Sequence, residues 1–158
     1  MKKRKIGLIL ITILIFIVGI FTVIKSIPSS KDNIEEIKVA IESTEEESAA
    51  YLSTSMEFTP KIEDAGRQNL KYKWELINAK EERLGDGNNW GKEILNDGGR
   101  VYFSPDLLGG FNKHAPITKT ITVRLTILED GKKIGSAVLL LDDHDGYYII
   151  RRWIMKNG

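Results

Sequence analysis

The chain has 158 residues, a length typical of one domain with an appendage, and 42% of them are hydrophobic. It contains no cysteine, which excludes disulfides, thiolate metal sites and a cysteine nucleophile. Residues 31–158 carry 18 basic and 22 acidic side chains, a net charge of −4, so this part would repel phosphates and we expect no binding to nucleic acid.

The first predicted element is a transmembrane helix at residues 6–24, a run of 19 uncharged and mostly aliphatic residues. Such a helix would be about 28 Å long, close to the hydrocarbon thickness of a bilayer. The tail before it, residues 1–5, has four basic side chains: Lys2, Lys3, Arg4 and Lys5. This charge asymmetry predicts a cytoplasmic tail, a single pass through the cell membrane and an extracytoplasmic C-terminal part.

A cleaved signal peptide is the alternative interpretation of the same residues. Its apolar core is usually about 7–15 residues, shorter than this one. Residues 25–30 contain no Ala-x-Ala cleavage pattern, and Lys25 follows the apolar run directly. These features favour an uncleaved anchor, and both interpretations place the remaining chain outside the cytoplasm.

Residues 25–35 are polar and predict a linker, and residues 36–158 predict one mostly β domain. Apolar residues alternate with polar ones in several segments, which is typical of strands with one buried face. These segments are 37–41, 52–58, 71–76 and 121–127.

The last third of the chain predicts a three-stranded antiparallel meander at residues 119–154. Asp130-Gly131 is a strong two-residue hairpin signal, and residues 142–146 form a second turn before a final strand at 147–154. Val138 to Leu141 are continuously apolar, which favours a central strand.

The middle of the domain predicts a short strand at 100–104 between glycine-rich loops at 85–89, 96–99 and 109–110. Residues 45–50 are compatible with a helical turn, but the alternation around them favours a loop. About seven strands in all predict an antiparallel β-sandwich.

Residues 54–60, rich in Thr and Phe, followed by Tyr72-Lys73-Trp74, resemble the early strands of bacterial immunoglobulin-like or PKD-like domains. The resemblance implies an immunoglobulin-like sandwich with Trp74 buried between its sheets, and an adhesive, spacer or ligand-binding role without catalytic residues. A curved sheet of the NTF2 or cystatin type is the alternative, but it needs a helix against the sheet that the sequence does not indicate.

The candidate contact residues are aromatic. Trp90 follows Asn89 in a Gly/Asn-rich loop, where an indole is a platform for a sugar ring or a partner protein. Tyr102 and Phe111 are candidates to flank it. The alternative is that Trp90 folds back and caps one end of the sandwich.

The densest polar cluster contains Asp142, Asp143 and Asp145, whose carboxylates suit Ca²⁺. The spacing lacks the distant glutamate of a calcium loop, and Gly146 explains the same residues as a plain turn, which we favour. We expect no other cofactor. The two histidines, His114 and His144, are too few for a zinc site and are interpreted as surface residues.

The sequence therefore predicts a membrane-anchored, extracytoplasmic and non-enzymatic interaction module of the cell envelope, with a protein or cell-wall glycan partner. The composition is compatible with a Gram-positive bacterium. Two alternatives stay open: an accessory subunit of a larger membrane complex, and an envelope enzyme whose site is built from scattered acids. Ser104 and Ser136 lack the sequence context of a serine nucleophile.

Overall fold

A computed structural model of the chain describes residues 36–49, 56–63 and 66–151. The chain divides into two units, Met1–Ile34 and Glu35–Gly158, and every described residue belongs to the second. The predicted tail, the anchor at 6–24, the linker and the end of the final strand lie outside the described residues. Within the described ranges, no helix is long and apolar enough to cross a membrane.

The described residues form eleven β-strands. In chain order they are β1 Val39–Ser43, β2 Glu47–Ala49, β3 Glu57–Ile62, β4 Leu70–Ile77, β5 Arg83–Gly85, β6 Trp90–Gly91, β7 Glu93–Asn96, β8 Val101–Ser104, β9 Lys119–Glu129, β10 Lys132–Asp143 and β11 Tyr147–Ile150.

The strands belong to two antiparallel sheets. The smaller sheet has the order β1-β3-β8-β5-β6, and the larger sheet has the order β2-β11-β10-β9-β4-β7. All the registered pairings are antiparallel. The prediction of a mostly β domain built from antiparallel strands is confirmed for the described part of the chain.

The β9–β10 hairpin forms the centre of the larger sheet. Asp130 and Gly131 both have positive φ, 50° and 77°, which is the backbone that a two-residue type I′ turn requires. The strands pair from Lys132–Glu129 to Asp143–Lys119. Because β11 pairs with the other side of β10, the prediction that this apolar strand is central is confirmed.

The core lies between the inward faces of the two sheets. Trp74 of the larger sheet is fully buried and stacks on Phe58 of the smaller sheet, with ring centroids 6.4 Å apart. Around this contact lie buried aliphatic and aromatic residues from both sheets, including Leu84, Val101, Phe103, Ile121, Val123, Leu125, Ile127 and Leu141. The prediction that Trp74 belongs to the core is confirmed.

Two local predictions are wrong. Residues 47–49 form the edge strand β2, paired with β11, rather than a loop. Trp90 belongs to the short strand β6, which pairs with β5 across the turn at 86–89, rather than to a flexible loop. Strands of two or three residues are too short to show an alternating pattern, so only pairing with a neighbour reveals them.

The two ends of the long strand β10 mark two ends of the described domain. At the end where β10 begins, next to the hairpin turn, the N–H of Ile37 donates to Ile134 O at 2.8 Å. At the far end, the segment 105–118 packs on the turn that follows β10. There the N–H of Phe111 donates to Asp145 O at 2.5 Å, and the N–H of Thr118 donates to Asp143 O at 2.8 Å.

Candidate functional site

On the outer face of the smaller sheet, the exposed indole of Trp90 lies on Gly85. Gly85 of β5 pairs with Trp90 on one side and with Tyr102 on the other. A Cβ built on Gly85 would lie 2.6 Å from Cδ2 and Cε2 of Trp90 and 2.7 Å from its Cε3. The indole therefore lies face-down on the glycine backbone, and its other face points to solvent, since Trp90 is 58% exposed.

The turn before Trp90 is held by one carboxylate. Asp86 Oδ1 accepts hydrogen bonds from the N–H groups of Asn88 and Asn89, at 2.9 and 2.8 Å. These two bonds hold the pKa of Asp86 below its usual value, and the bond from Asn89 has the larger effect. Asn88 and Asn89 are both exposed. The turn thus fixes where β6 begins and places two exposed asparagines directly before Trp90.

Tyr102 and Arg100 continue this face away from Trp90. Tyr102 pairs with Glu57 of β3. The Arg100 guanidinium lies 3.2 Å from a Glu57 carboxylate oxygen and 3.4 Å from the Tyr102 hydroxyl. The hydrogen bond with Tyr102 and the charge of Glu57 raise the pKa of Arg100. The guanidinium is thereby positioned on the same face as the indole.

An open groove of about 740 Å³ runs from this face to the edge of the larger sheet. Its lining is mostly polar, and consists of Lys71, Asp86, Asn88, Leu95, Asn96, Asp97, Gly98, Arg100 and Tyr102. This volume is within the roughly 300–1,000 Å³ typical of ligand clefts. Of the predicted contact residues, Tyr102 lines this groove, Trp90 lies across Gly85 from Tyr102, and Asn89 follows the lining residue Asn88 in the turn.

Phe111, the fourth predicted contact residue, belongs to the far end of the domain. It has a positive φ of 55°, and its ring lies 3.3 Å from a Cβ built on Gly146. The segment around it exposes two adjacent leucines, Leu107 at 70% and Leu108 at 86%. The predicted contact residues thus divide between two surfaces, and the leucine pair is an apolar surface that the sequence analysis missed.

A second feature missed from the sequence is a buried ionic network beneath the far end. Glu82 has no exposed surface, and its Oε1 lies 2.5 Å from Lys119 Nζ and accepts a 2.7 Å hydrogen bond from the Tyr148 hydroxyl. Its Oε2 accepts the N–H of Lys80 at 2.7 Å. Lys119 also lies 3.5 Å from Asp143. The carboxylate of Glu82 is therefore bonded through both oxygens.

The contacts within this network favour the ionised forms of Glu82 and Lys119 and the neutral form of Tyr148. Burial alone would raise the pKa of Glu82, but the hydrogen bonds from Lys119 and Tyr148 outweigh it and hold this pKa below its usual value. Burial would lower the pKa of Lys119, but its contact with Glu82 raises it. Burial and the bond to Glu82 raise the pKa of Tyr148. At neutral pH the network is one fixed ion pair with a neutral phenol.

The three aspartates of the predicted calcium turn point to different partners. Asp142 accepts bonds from the Arg151 guanidinium at 2.8 and 2.5 Å and from the Thr120 hydroxyl at 2.8 Å. Asp143 accepts the N–H of Gly146 at 2.6 Å, and Asp145 has a positive φ of 56° in the turn. The described residues contain no group of three or more His, Cys, Asp or Glu that could hold a metal ion.

We expect calcium to leave the stability of the protein unchanged. The oxygens of Asp142 already bind Arg151, and those of Asp143 already bind the turn and Lys119, so Ca²⁺ would have to displace existing partners. The measurement is the melting temperature in 5 mM EDTA and at millimolar Ca²⁺, with Mg²⁺ as the ionic-strength control. A rise of several degrees with Ca²⁺ alone would establish the metal site instead.

Comparison of the chain with protein-family models, with curated proteins and with solved structures finds no match.

Proposed function

We propose that this protein is a membrane-anchored, non-enzymatic interaction module of the cell envelope, and that its contact face is the outer face of Trp90. The observation that carries the proposal is the seating of the indole on Gly85. An apolar ring is normally buried in the core, whereas here the fold holds it flat on the sheet with 58% of the residue exposed. A pre-positioned aromatic side chain is the usual energetic centre of a contact surface, because little conformational freedom is lost on binding.

The location in this proposal is supported by the N-terminal sequence. The apolar run at 6–24 has the length of a membrane span, and the basic residues at 2–5 favour a cytoplasmic N-terminus. The domain that follows is then extracytoplasmic and reaches cell-surface partners. We also propose that the sandwich is immunoglobulin-like, a class of fold in which the core tryptophan packs between the sheets, as Trp74 does here.

The non-enzymatic part of the proposal is supported by the direction of the pKa shifts. A carboxyl, lysine or tyrosine side chain that acts as an acid or base catalyst at neutral pH is helped by a pKa moved towards the working pH. In the described part of the chain, hydrogen bonds and neighbouring charges lower the pKa of three acids, Glu82, Asp86 and Asp142, and raise the pKa of basic groups, while burial raises that of Tyr148. Each of these shifts moves the pKa away from neutrality and stabilises a charge or a neutral phenol already present.

The accessory-subunit alternative is favoured by one separate observation. Leu107 and Leu108 are adjacent, largely exposed and carried on a segment that hydrogen bonds fix to the turn after β10. Asp106 supports the same segment, because its Oδ1 accepts the N–H of Leu108 at 2.8 Å and its own N–H donates to the Tyr148 hydroxyl. An ordered apolar pair of this kind suits a permanent protein interface.

Affinity capture after crosslinking in cells tests the proposal. The full-length protein is compared with Trp90→Ala and with Leu108→Ala, a matched control that removes an exposed apolar side chain from the other surface. We expect one dominant partner that is lost with Trp90→Ala and retained with Leu108→Ala. The opposite pattern would favour the accessory subunit, and no specific partner in any form would contradict an interaction module.

A further inference from the structure

The surroundings of Trp90 favour a particular ligand chemistry. Gly85, under the exposed indole, pairs with Tyr102, and the groove that Tyr102 lines also contains the Asn88 amide and the Arg100 guanidinium, which donate and accept hydrogen bonds. A flat, apolar ring face next to amide and guanidinium groups is complementary to a sugar, whose ring carries C–H groups on its faces and hydroxyls at its edge. A purely apolar helix or peptide would offer the exposed Asn88 amide no hydrogen-bond partner.

The charges in the groove favour a neutral ligand. Both of its cations are already paired, Lys71 with Asp97 at 2.5 Å and Arg100 with Glu57 at 3.2 Å. Asp86, in contrast, is bonded only to backbone and amide N–H groups in the contacts described, and its lowered pKa keeps it ionised. A phosphate polymer or an acidic sugar would meet paired cations and an additional carboxylate, and like charges oppose its approach.

Gly85 gives the site its shape. Its backbone φ lies outside the positive region, so conformation alone does not require a glycine at this position. What requires it is the indole, because any Cβ would come within 2.6 Å of the ring. The absence of a side chain at Gly85 therefore leaves room for the Trp90 ring to lie flat on the strand, at the position that pairs with Tyr102.

We propose that the groove next to the Trp90 face binds a neutral glycan, with one sugar ring stacked on the indole that lies on Gly85 and with its hydroxyls bonded to Asn88 and Arg100. This inference deepens the proposed function and rests on it, since it names the ligand class of the same face. Binding involves no covalent step.

Isothermal titration of the full-length protein in phospholipid nanodiscs tests this inference. The probes are three neutral oligosaccharides, chitotetraose, cellotetraose and maltotetraose, and one anionic oligosaccharide, a hyaluronan tetramer. We expect at least one neutral probe to bind and the anionic probe to bind more weakly. Trp90→Ala should weaken binding about tenfold or more, because it removes the exposed aromatic face on which the sugar ring is proposed to stack.

Two further variants separate the geometry from the mere presence of an aromatic ring. Gly85→Ala retains Trp90 but displaces its ring, so it should weaken binding nearly as much as Trp90→Ala, while circular dichroism shows a folded sheet. Leu108→Ala should bind the sugar like the wild type.

No binding of any neutral probe at millimolar concentration would overturn the glycan inference, as would tighter binding of the anionic probe or unchanged binding by Trp90→Ala. A protein partner captured through Trp90 by a chain that binds no sugar would leave the proposed function standing and remove only the ligand class. If Trp90 captured no protein partner and no neutral sugar bound, both the proposed function and the glycan inference would be overturned.

Discussion

Replacing Lys119 with methionine is expected to lower the free energy of unfolding by about 3 kcal/mol, the usual cost of leaving one charge of a buried ion pair without its partner. Glu82 has no exposed surface, whereas the Lys119 side chain keeps 21% of its own. Removal of the ammonium therefore leaves a fully buried carboxylate that still accepts hydrogen bonds from Tyr148 and the N–H of Lys80 but has lost its cation. Urea-induced unfolding, followed by circular dichroism, measures the effect.

The matched variant is Glu82→Gln, which has the same shape and leaves Lys119 partly solvated and near Asp143. We expect it to cost less than Lys119→Met, about 1–2 kcal/mol. The double variant Glu82→Gln/Lys119→Met removes both charges together, so it should be more stable than the sum of the single effects predicts. Additive effects would show that the two groups do not interact as an ion pair.

The pH dependence of stability is a second signature of the same pair. The pKa of Glu82 is lower in the folded than in the unfolded chain, so its contribution is fully present above the unfolded value of about 4.3–4.5. As the pH falls below that value and through the folded pKa, protonation of Glu82 removes the contribution. The stability difference between wild type and Glu82→Gln should therefore shrink below about pH 4.5 and stay constant between pH 6 and 8.

Replacing Trp74 with alanine is expected to destabilise the domain by about 3–5 kcal/mol, in the range found for large buried aromatic side chains. The indole is fully buried, stacks on Phe58 across the two sheets and donates from Nε1 to Gly99 O at 3.0 Å. Alanine would leave a cavity at the only stacked contact between the sheets among the described ring pairs, and would also leave the Gly99 carbonyl unbonded. Thermal unfolding monitored by circular dichroism measures the loss.

Trp74→Phe separates the packing of the ring from the hydrogen bond. Phenylalanine retains a ring against Phe58 but has no donor for Gly99 O, so we expect a smaller loss, about 1–2 kcal/mol. If Trp74→Ala and Trp74→Phe cost the same, the hydrogen bond and not the ring is the main contribution. A cost below 1 kcal/mol for Trp74→Ala would contradict its place at the centre of the core.

Local patterns were sufficient to predict the hairpin and the strand faces. Asp130-Gly131 specifies its turn through backbone conformations that few other pairs adopt, and the period of two from 121 to 127 specifies which side chains point inward. Trp74 shares this alternation with Leu76, so its burial follows from the same rule.

The pairing of distant segments was not predictable in the same way. Glu82, Lys119 and Tyr148 meet only because two sheets pack together, and they are far apart in the sequence. One signal was nevertheless present in the sequence. Side chains in a strand alternate between two faces, and Lys119 is in phase with the inward-facing Ile121 and Val123, as Glu82 is with Leu84. A charged residue in phase with an apolar face is expected to need a buried partner.

The position of Trp90 at the candidate site was likewise not predictable from the local sequence. The residues around it predict a loop, because glycine, aspartate and asparagine fill positions 85 to 89. The pairing of β5 with β6 converts this segment into a tight turn and lays the indole on Gly85. Only the register across the sheet, which depends on the larger fold, brings Tyr102 and Arg100 to the same face.

Oxidative footprinting of the full-length protein in intact cells, compared with the purified protein, tests most directly whether the Trp90 face is the contact surface. The purified protein should be labelled at both Trp90 and Leu108, which are exposed, and not at Trp74, which is buried. In cells, labelling of Trp90 should fall severalfold while labelling of Leu108 stays the same. Equal labelling of Trp90 in both states, or protection of Leu107 and Leu108 instead, would contradict the proposed contact face.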